Sequence, residues 1–249
     1  MNIIFTDLDG TLLDSDYSYS KAEDTVKEIK ARGIAICIVT SKTFQEVVPL
    51  WRELKLESPF SFENGQGIAA PEGVLPEVDD MVEEFEILSL GPNYEELEKA
   101  IEEVEDELGD LNRFGDMEPG ELADLTGLSE EESEKALERM HSEVFVPDEK
   151  AAKRLESKGY KVLEGTDFFH LQGRPDKGTA VRYIKDILDP DVTLSIGDAE
   201  NDYPMFKETD YSVLLGAERS EDVEAKKIEK KGPEGWNEGV KWFLDKLDL

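Results

Sequence analysis

The chain has little cysteine, little histidine and no long apolar run. Its single cysteine, Cys37, excludes an internal disulfide and suits a reducing compartment. Cys37 sits in the apolar run Ile34-Ala35-Ile36-Cys37-Ile38-Val39, without a basic neighbour in sequence, and reads as a buried, inert thiol. Two histidines, His141 and His170, are too few for a zinc site of the usual His/Cys type. No apolar stretch approaches the roughly 20 residues of a bilayer-spanning helix. Ile3-Ile4-Phe5 is too short for the core of a signal peptide, and acidic residues follow at once, so a cytoplasmic protein is expected. Basic residues are scarce too: 28 Lys and Arg face 60 Asp and Glu, a net charge of −32. Such a surface repels polyanions, so neither nucleic acid nor a membrane is an expected partner.

What is present is a globular composition, long enough at 249 residues for one large domain or two modest ones. Residues 2–6 form a short apolar strand ending in an Asp-rich turn. Ser20 with Glu23 reads as a capping box for a helix that Gly33 closes. Residues 34–39 are a continuous apolar run, the pattern of a strand buried on both faces. Thr43 with Glu46 opens a second helix, which Pro49 is expected to kink or shorten. The rhythm returns with a helix over 179–188, a strand over 192–196, a short helix over 202–206, a strand over 211–215 and an amphipathic helix over 236–247. This alternation predicts an α/β fold with a Rossmann-like parallel-sheet core. Between the halves the texture turns acid-rich and α+β. A strand at 85–88 is followed by helical spacing through Tyr94, Leu97, Ile101, Val104 and Leu108, then by further helices and strands. The expected organisation is a core of 1–83 and 173–249 with an inserted α+β cap domain at 84–172, hinged near Val82 and Gly173.

Four short constellations carry candidate chemistry. Phe5-Thr6-Asp7-Leu8-Asp9-Gly10-Thr11 follows the first strand. Residues two apart in extended chain face one way, so Asp7 and Asp9 share a side at the end where parallel sheets bind ligands. Two carboxylates so close need a cation between them, or one must hold a proton; a solvated acidic turn is the plain alternative for such a pair alone. Thr40-Ser41-Lys42-Thr43, after the next strand, offers hydroxyls that can hold phosphate with helix N-terminal amides, or simply cap the helix. Lys177 opens a helix against its macrodipole, which fits an acidic or phosphate partner unless the lysine is merely solvated. Asp198-Ala199-Glu200-Asn201-Asp202 puts Asn201 and Asp202 at i+3 and i+4. These oxygens suit a hard cation such as magnesium, or an N-cap and an acidic turn.

In this order, each after a core strand or at a helix start, the four resemble the motifs of the haloacid dehalogenase superfamily of phosphohydrolases. The resemblance covers about 1–80 and 174–249, with the insert where that superfamily carries its larger α+β cap. It implies a Mg2+-dependent phosphatase working through an aspartyl-phosphate. Asp7 would be the nucleophile, and Asp9 the general acid and then base. Thr40 or Ser41, with Lys177 and Asn201, would serve the phosphoryl group. Asp198 would complete the magnesium site with Asp7 and with Asp9 through its carbonyl, and Asp202 would support Lys177 and its loop. Many capped relatives read Thr-Gly-Arg where this chain has Thr40-Ser41-Lys42, so which hydroxyl binds phosphate stays open.

Four segments narrow the resemblance: Thr40-Ser41-Lys42-Thr43, Glu63-Asn64-Gly65, Leu125-Thr126-Gly127-Leu128-Ser129 and Gly232-Pro233-Glu234-Gly235-Trp236. They point to a branch that takes phosphate from a small-molecule sugar phosphate bearing a glycerate. The cap would then read sugar and carboxylate, with Arg139, His141, Ser142, His170, Gln172 and Arg174 as candidates. Arg139 and Arg174 can each pair a carboxylate bidentately or serve as a surface ion pair. Rival readings are a phosphatase of another sugar phosphate, a sugar phosphomutase on the same scaffold, and a silent sugar-phosphate sensor, against which the intact Asp7 and Asp9 argue.

Overall fold

The computed structural model describes residues 1–165, 167–216 and 223–248. In chain order its strands are β1 (Asn2–Thr6), β2 (Ala35–Ile38), β3 (Phe60–Phe62), β4 (Gly67–Pro71), β5 (Asp80–Val82), β6 (Phe85–Ser89), β7 (Ser142–Phe145), β8 (Lys161–Glu164), β9 (Phe169–Gln172), β10 (Val192–Gly197), β11 (Tyr211–Leu215) and β12 (Lys226–Ile228). Its α-helices are α1 (Glu23–Ala31), α2 (Phe44–Glu53), α3 (Tyr94–Leu108), α4 (Pro119–Thr126), α5 (Glu130–Leu137), α6 (Glu149–Ser157), α7 (Lys177–Leu188), α8 (Tyr203–Phe206) and α9 (Gly232–Lys246).

Every residue of β1 after Asn2 is buried, because β10 and β2 flank it in parallel register and helices cover both faces. Ile4 packs with Val26 and Ile29 of α1, Val47 of α2 and Trp236, Val240 and Phe243 of α9. Ile3 and Phe5 pack with Ala180, Val181 and Ile184 of α7. A strand covered on both faces needs no polar alternation, which accounts for the unbroken apolar run. The full order is β12-β11-β10-β1-β2, all parallel. From β1 the chain moves to β2 on one side and later returns to β10 on the other. That reversal opens a crevice at the carboxyl ends of the strands. Asp7 follows β1, Thr40 follows β2 and Asp198 follows β10, while Lys177 opens α7.

A second, antiparallel sheet of order β3-β4-β6-β5 lies beside β2, joined to it by the bridge Val39–Ser61. Rings anchor it to α2: Phe85 lies 5.0 Å from Trp51 and 5.5 Å from Phe44, and within the sheet 5.6 Å from Phe60. Of its strands only the one at 85–88 was expected, and as part of the insert. That strand, β6, instead pairs with β4 and β5, so the expected boundary at 83/84 falls inside this sheet. The chain passes from this sheet to α3 through residues 90–93. The hairpin partner of β6, β5, is only three residues long, too short for a period to reveal the pairing.

The insert has its own three-stranded antiparallel sheet, β7-β9-β8. Leu97, Ile101 and Val104 of α3 and Leu155 of α6 pack there against Phe145 and Leu171. Gly127 closes α4 at φ +79, and Ser129 opens α5 with a capping box to Glu132, so Leu125–Ser129 is a tight turn between helices. Gln66 joins the two crossings. Its carbonyl accepts from the amides of Leu90 and Gly91. Its side chain accepts from the Gly173 amide at 3.0 Å and donates to the Pro175 carbonyl at 2.6 Å.

Three local expectations change. Ser20 starts a 3-10 turn and caps nothing, so α1 begins at Glu23 without a side-chain cap. Pro49 lies within α2, which still runs ten residues; it sits on the exposed face, away from the packed side. Helix α7 begins two residues earlier than expected, with Asp176 as its cap. No described helix is long and apolar enough to cross a membrane.

Candidate active site

Lys177 is the anchor of the crevice. It is 1% exposed, and its Nζ donates to Asp7 Oδ1 and to Asp202 Oδ1, each at 2.6 Å. A buried ammonium requires such partners. Burial works against its charge, and the Asp202 and Asp7 carboxylates outweigh it, so its pKa lies above the ordinary lysine value. Burial also pushes the Asp7 carboxyl from 3.8 up to about 8, against the pull of Lys177 and with Asp202 and Asp9 adding repulsion. The backbone around Asp7 is fixed from the far end of the chain. The Trp236 indole donates to Thr6 Oγ1 at 3.0 Å, and Thr6 Oγ1 donates to the Asp7 carbonyl at 2.8 Å. The Gly232 amide donates to the Gly10 carbonyl at 2.7 Å. Gly232–Trp236 thus clamps the Asp7 loop.

A carboxylate oxygen from each of Asp7, Asp198 and Asp202 lies within 4.8 Å of the others. Asp202 is committed elsewhere: Oδ1 takes Lys177, and Oδ2 accepts the amides of Asp198 and Ala199 at 2.9 and 3.0 Å. Asp7 and Asp198 are left as the pair that can hold a cation. Burial and the neighbouring Asp202 raise the Asp198 carboxyl, so two carboxyls here are held above their ordinary range. A divalent cation would relieve both. Gly10 makes room: a Cβ on it would lie 2.5 Å from Asp198 Oδ2. The donor set, hard oxygens in a tight cluster, fits a cation of the magnesium class. The Asp9 carboxylate stands apart from this group. Its Oδ2 lies 3.2 Å from Lys42 Nζ.

Thr40 is fully buried, and its Oγ1 accepts the Lys42 amide at 3.3 Å. Ser41 lines the cavity with Asp7; of the two hydroxyl residues it is the one placed to face a ligand. The turn after β3 laces this loop from outside. The Asn64 and Glu63 amides donate to the Thr40 and Lys42 carbonyls, both at 2.8 Å. Glu63, Asn64 and Gly65 all have left-handed φ, at +49, +58 and +87, and a Cβ on Gly65 would lie 2.1 Å from the Asp176 carbonyl. Consecutive strained residues persist only where surroundings enforce them. Here Asn201 Nδ2 also donates to Asn64 Oδ1 at 3.0 Å.

The cavity above Asp7 encloses about 650 Å³ and is lined also by Asp9, Ser41, Asn64, His170, Asp198 and Asn201. His170 is the one cap candidate among its lining residues. Burial, then the Arg139 charge, lowers its imidazole to about 3, so it offers a neutral ring to a ligand. Gln172 lines an adjoining cavity with Lys177 and Asn201, and its Nε2 donates to the Pro175 carbonyl. His141 and Ser142 are committed to the seam. Ser142 Oγ donates to Glu63 Oε2 at 2.5 Å, His141 meets the Pro92 carbonyl at 3.0 Å, and Arg139 donates to Ser142 at 2.8 Å. Arg174 is exposed and does not line the cavity.

Glu63 is fully buried, and its carboxylate accepts from the Met140 and His141 amides as well as from Ser142. Its replacement by alanine strands three donors. Local opening at residues 140–142 should become easier by roughly 1.5–3 kcal/mol, read as faster amide exchange at Met140 and His141 with the core amides unchanged.

Residues 4–84 and 171–228 match the haloacid dehalogenase-like hydrolases, and the chain belongs to that family. Its curated relatives include a glucosyl-3-phosphoglycerate/mannosyl-3-phosphoglycerate phosphatase of Persephonella marina, 37% identical over 99% of this chain and 98% of the relative. A mannosyl-3-phosphoglycerate phosphatase of Pyrococcus furiosus is 36% identical over 90% of this chain and 95% of its own. Among solved structures, a Thermoplasma acidophilum protein superposes with a TM-score of 0.71 at 19% identity, covering 100% of this chain and 98% of that one. A Thermotoga maritima protein gives 0.70 at 17%, covering 98% and 96%. At such identities these two speak for the fold alone.

Proposed function

We propose that this protein is a magnesium-dependent phosphatase that hydrolyses mannosyl-3-phosphoglycerate to mannosylglycerate and phosphate in the cytoplasm. The observation that carries the reading is the buried Asp7–Lys177–Asp202 triad opening on Asp198, in a chain over a third identical, end to end, to a phosphatase named for that substrate. The four signature segments point the same way. Asp7 attacks phosphorus in line with the ester oxygen, forming an aspartyl-phosphate. Lys177 neutralises phosphoryl oxygens and keeps Asp7 aimed, and Ser41 donates to the same group. Asp9 gives its proton to the departing oxygen, then takes one from the water that cleaves the acyl phosphate. Asp7, Asp198 and the Asp9 carbonyl would hold a magnesium ion, which when bound would supply positive charge against the phosphoryl oxygens. The insert serves as a cap that shuts water out.

The Persephonella marina relative carries both names, which favours acceptance of the glucosyl ester as a second reading. A panel of mannosyl- and glucosyl-3-phosphoglycerate, sucrose phosphate, trehalose phosphate and mannose phosphates tests both, with and without chelator. The expected result is metal-dependent phosphate release, with kcat/KM for the two glycosyl glycerates at least about 100-fold above the rest. Isomerised sugar phosphate without free phosphate would make it a mutase, and no turnover of any ester would leave the sensor reading.

A further inference from the structure

Lys42 has no part in the scheme above, yet few side chains at the site are better anchored. Its Nζ lies 3.2 Å from Asp9 Oδ2 and 3.2 Å from Glu46 Oε1, and 4.6 Å over the Tyr17 ring. Its side chain is 14% exposed. Glu46 is itself fixed, because its Oε2 accepts the Thr43 amide at 2.8 Å while its own amide donates to Thr43 Oγ1. A rigid path therefore runs from the cap of α2 through Glu46 and Lys42 to the carboxyl beside the nucleophile. One ammonium is shared by two carboxylates, so much of its charge is offset on Glu46 and its effect on Asp9 is chiefly one of direction. With Oδ2 held, Asp9 Oδ1 is left buried without a hydrogen-bond partner among the described residues.

We propose that Lys42 is a positioning residue that aims Asp9 at the ester oxygen of the substrate. The inference rests on the phosphatase reading. In the first half-reaction a bond forms between an Asp7 oxygen and phosphorus, the bond from phosphorus to the ester oxygen breaks, and the Asp9 proton passes to that oxygen to give the alcohol. In the second, water bonds to phosphorus as its proton returns to Asp9, and the Asp7–phosphorus bond breaks to release inorganic phosphate. Aim matters where the departing oxygen is a poor leaving group. The basic residue that ends Thr40-Ser41-Lys42, where relatives carry the arginine of Thr-Gly-Arg, thereby gains a purpose: it is placed for the acid.

The test compares kcat/KM, which reads events through phosphoryl transfer to Asp7, on mannosyl-3-phosphoglycerate and on p-nitrophenyl phosphate. The first expels an alkoxide that needs a proton, and the second a stable phenolate. Lys42→Met should lose roughly 30-fold on the sugar ester and less than about threefold on the aryl ester. Lys42→Arg should recover most of the loss, and Lys42→Met placed in an Asp9→Asn background should cost nothing further. Glu46→Gln, which frees Lys42 without removing it, should show the same leaving-group bias in weaker form and carries the test if Lys42→Met does not fold. Equal loss on both esters, or full additivity with Asp9→Asn, overturns the assignment. Wild-type protein inactive on both esters sinks the phosphatase reading instead, an outcome distinct from failure of the variants.

Discussion

Asp7→Asn should release no measurable phosphate, a loss on the order of 10⁴-fold or more, while keeping the fold. An amide oxygen still accepts from Lys177, so the 2.6 Å contact has a replacement, but the amide cannot form the acyl phosphate. The stability effect has a calculable direction. The Asp7 pKa is raised by folding, from 3.8 to about 8. Its contribution is fully present below pH 3.8 and is lost as pH climbs through 8. In chelator at pH 8 or above, the asparagine variant should therefore melt no lower than wild type. Added magnesium should raise the wild-type melting temperature and leave the variant nearly unmoved. Turnover by the variant would refute the covalent route.

Lys177→Met should damage both activity and stability. The methionine keeps the buried apolar stem of Lys177 but leaves two buried acidic groups, Asp7 and Asp202, without a cation. Removing one partner of a buried ion pair costs about 3–5 kcal/mol. In a chain of this length that lowers the melting temperature by roughly 10 °C. Without the ammonium the Asp7 carboxyl moves further up, since Lys177 is the chief influence lowering it, and a protonated Asp7 cannot attack. Activity should fall by at least about 10³-fold, and magnesium should restore stability more than turnover. A variant that keeps wild-type kcat would show that Lys177 serves the fold alone.

Much of this site was legible before any coordinates. Asp7, Thr40, Asp198 and Lys177 sit where an apolar run stops or a helix starts, and such punctuation is local, so composition and period disclose it. The parallel core was readable for the same reason: β1 and β2 are buried on both faces and lack polar alternation. The antiparallel sheet was not. Its strands β3 and β5 are three residues each, too short for a period to show, and with β5 unseen nothing marked β6 as its hairpin partner. The cap candidates fared unevenly because residue type says nothing of direction. His141 and Ser142 are polar and basic as a sugar reader should be, yet Glu63, a residue from the core, already takes the Ser142 hydroxyl, and the His141 ring meets the Pro92 carbonyl. Lys42 stood in plain view beside the candidate hydroxyls, but its 3.2 Å approach to Asp9 could be seen only in three dimensions.

The side chain of Gln66 touches one crossing of the insert and its carbonyl the other. An excursion of some eighty residues thus leaves and re-enters the core at almost one point. Its length is then thermodynamically cheap, because the gap it must span stays the same however long it grows. The core can tolerate a larger, smaller or wholly different module at that doorway without altering its own folding problem, and selection can exchange substrate preference there while the acidic crevice stays as it is.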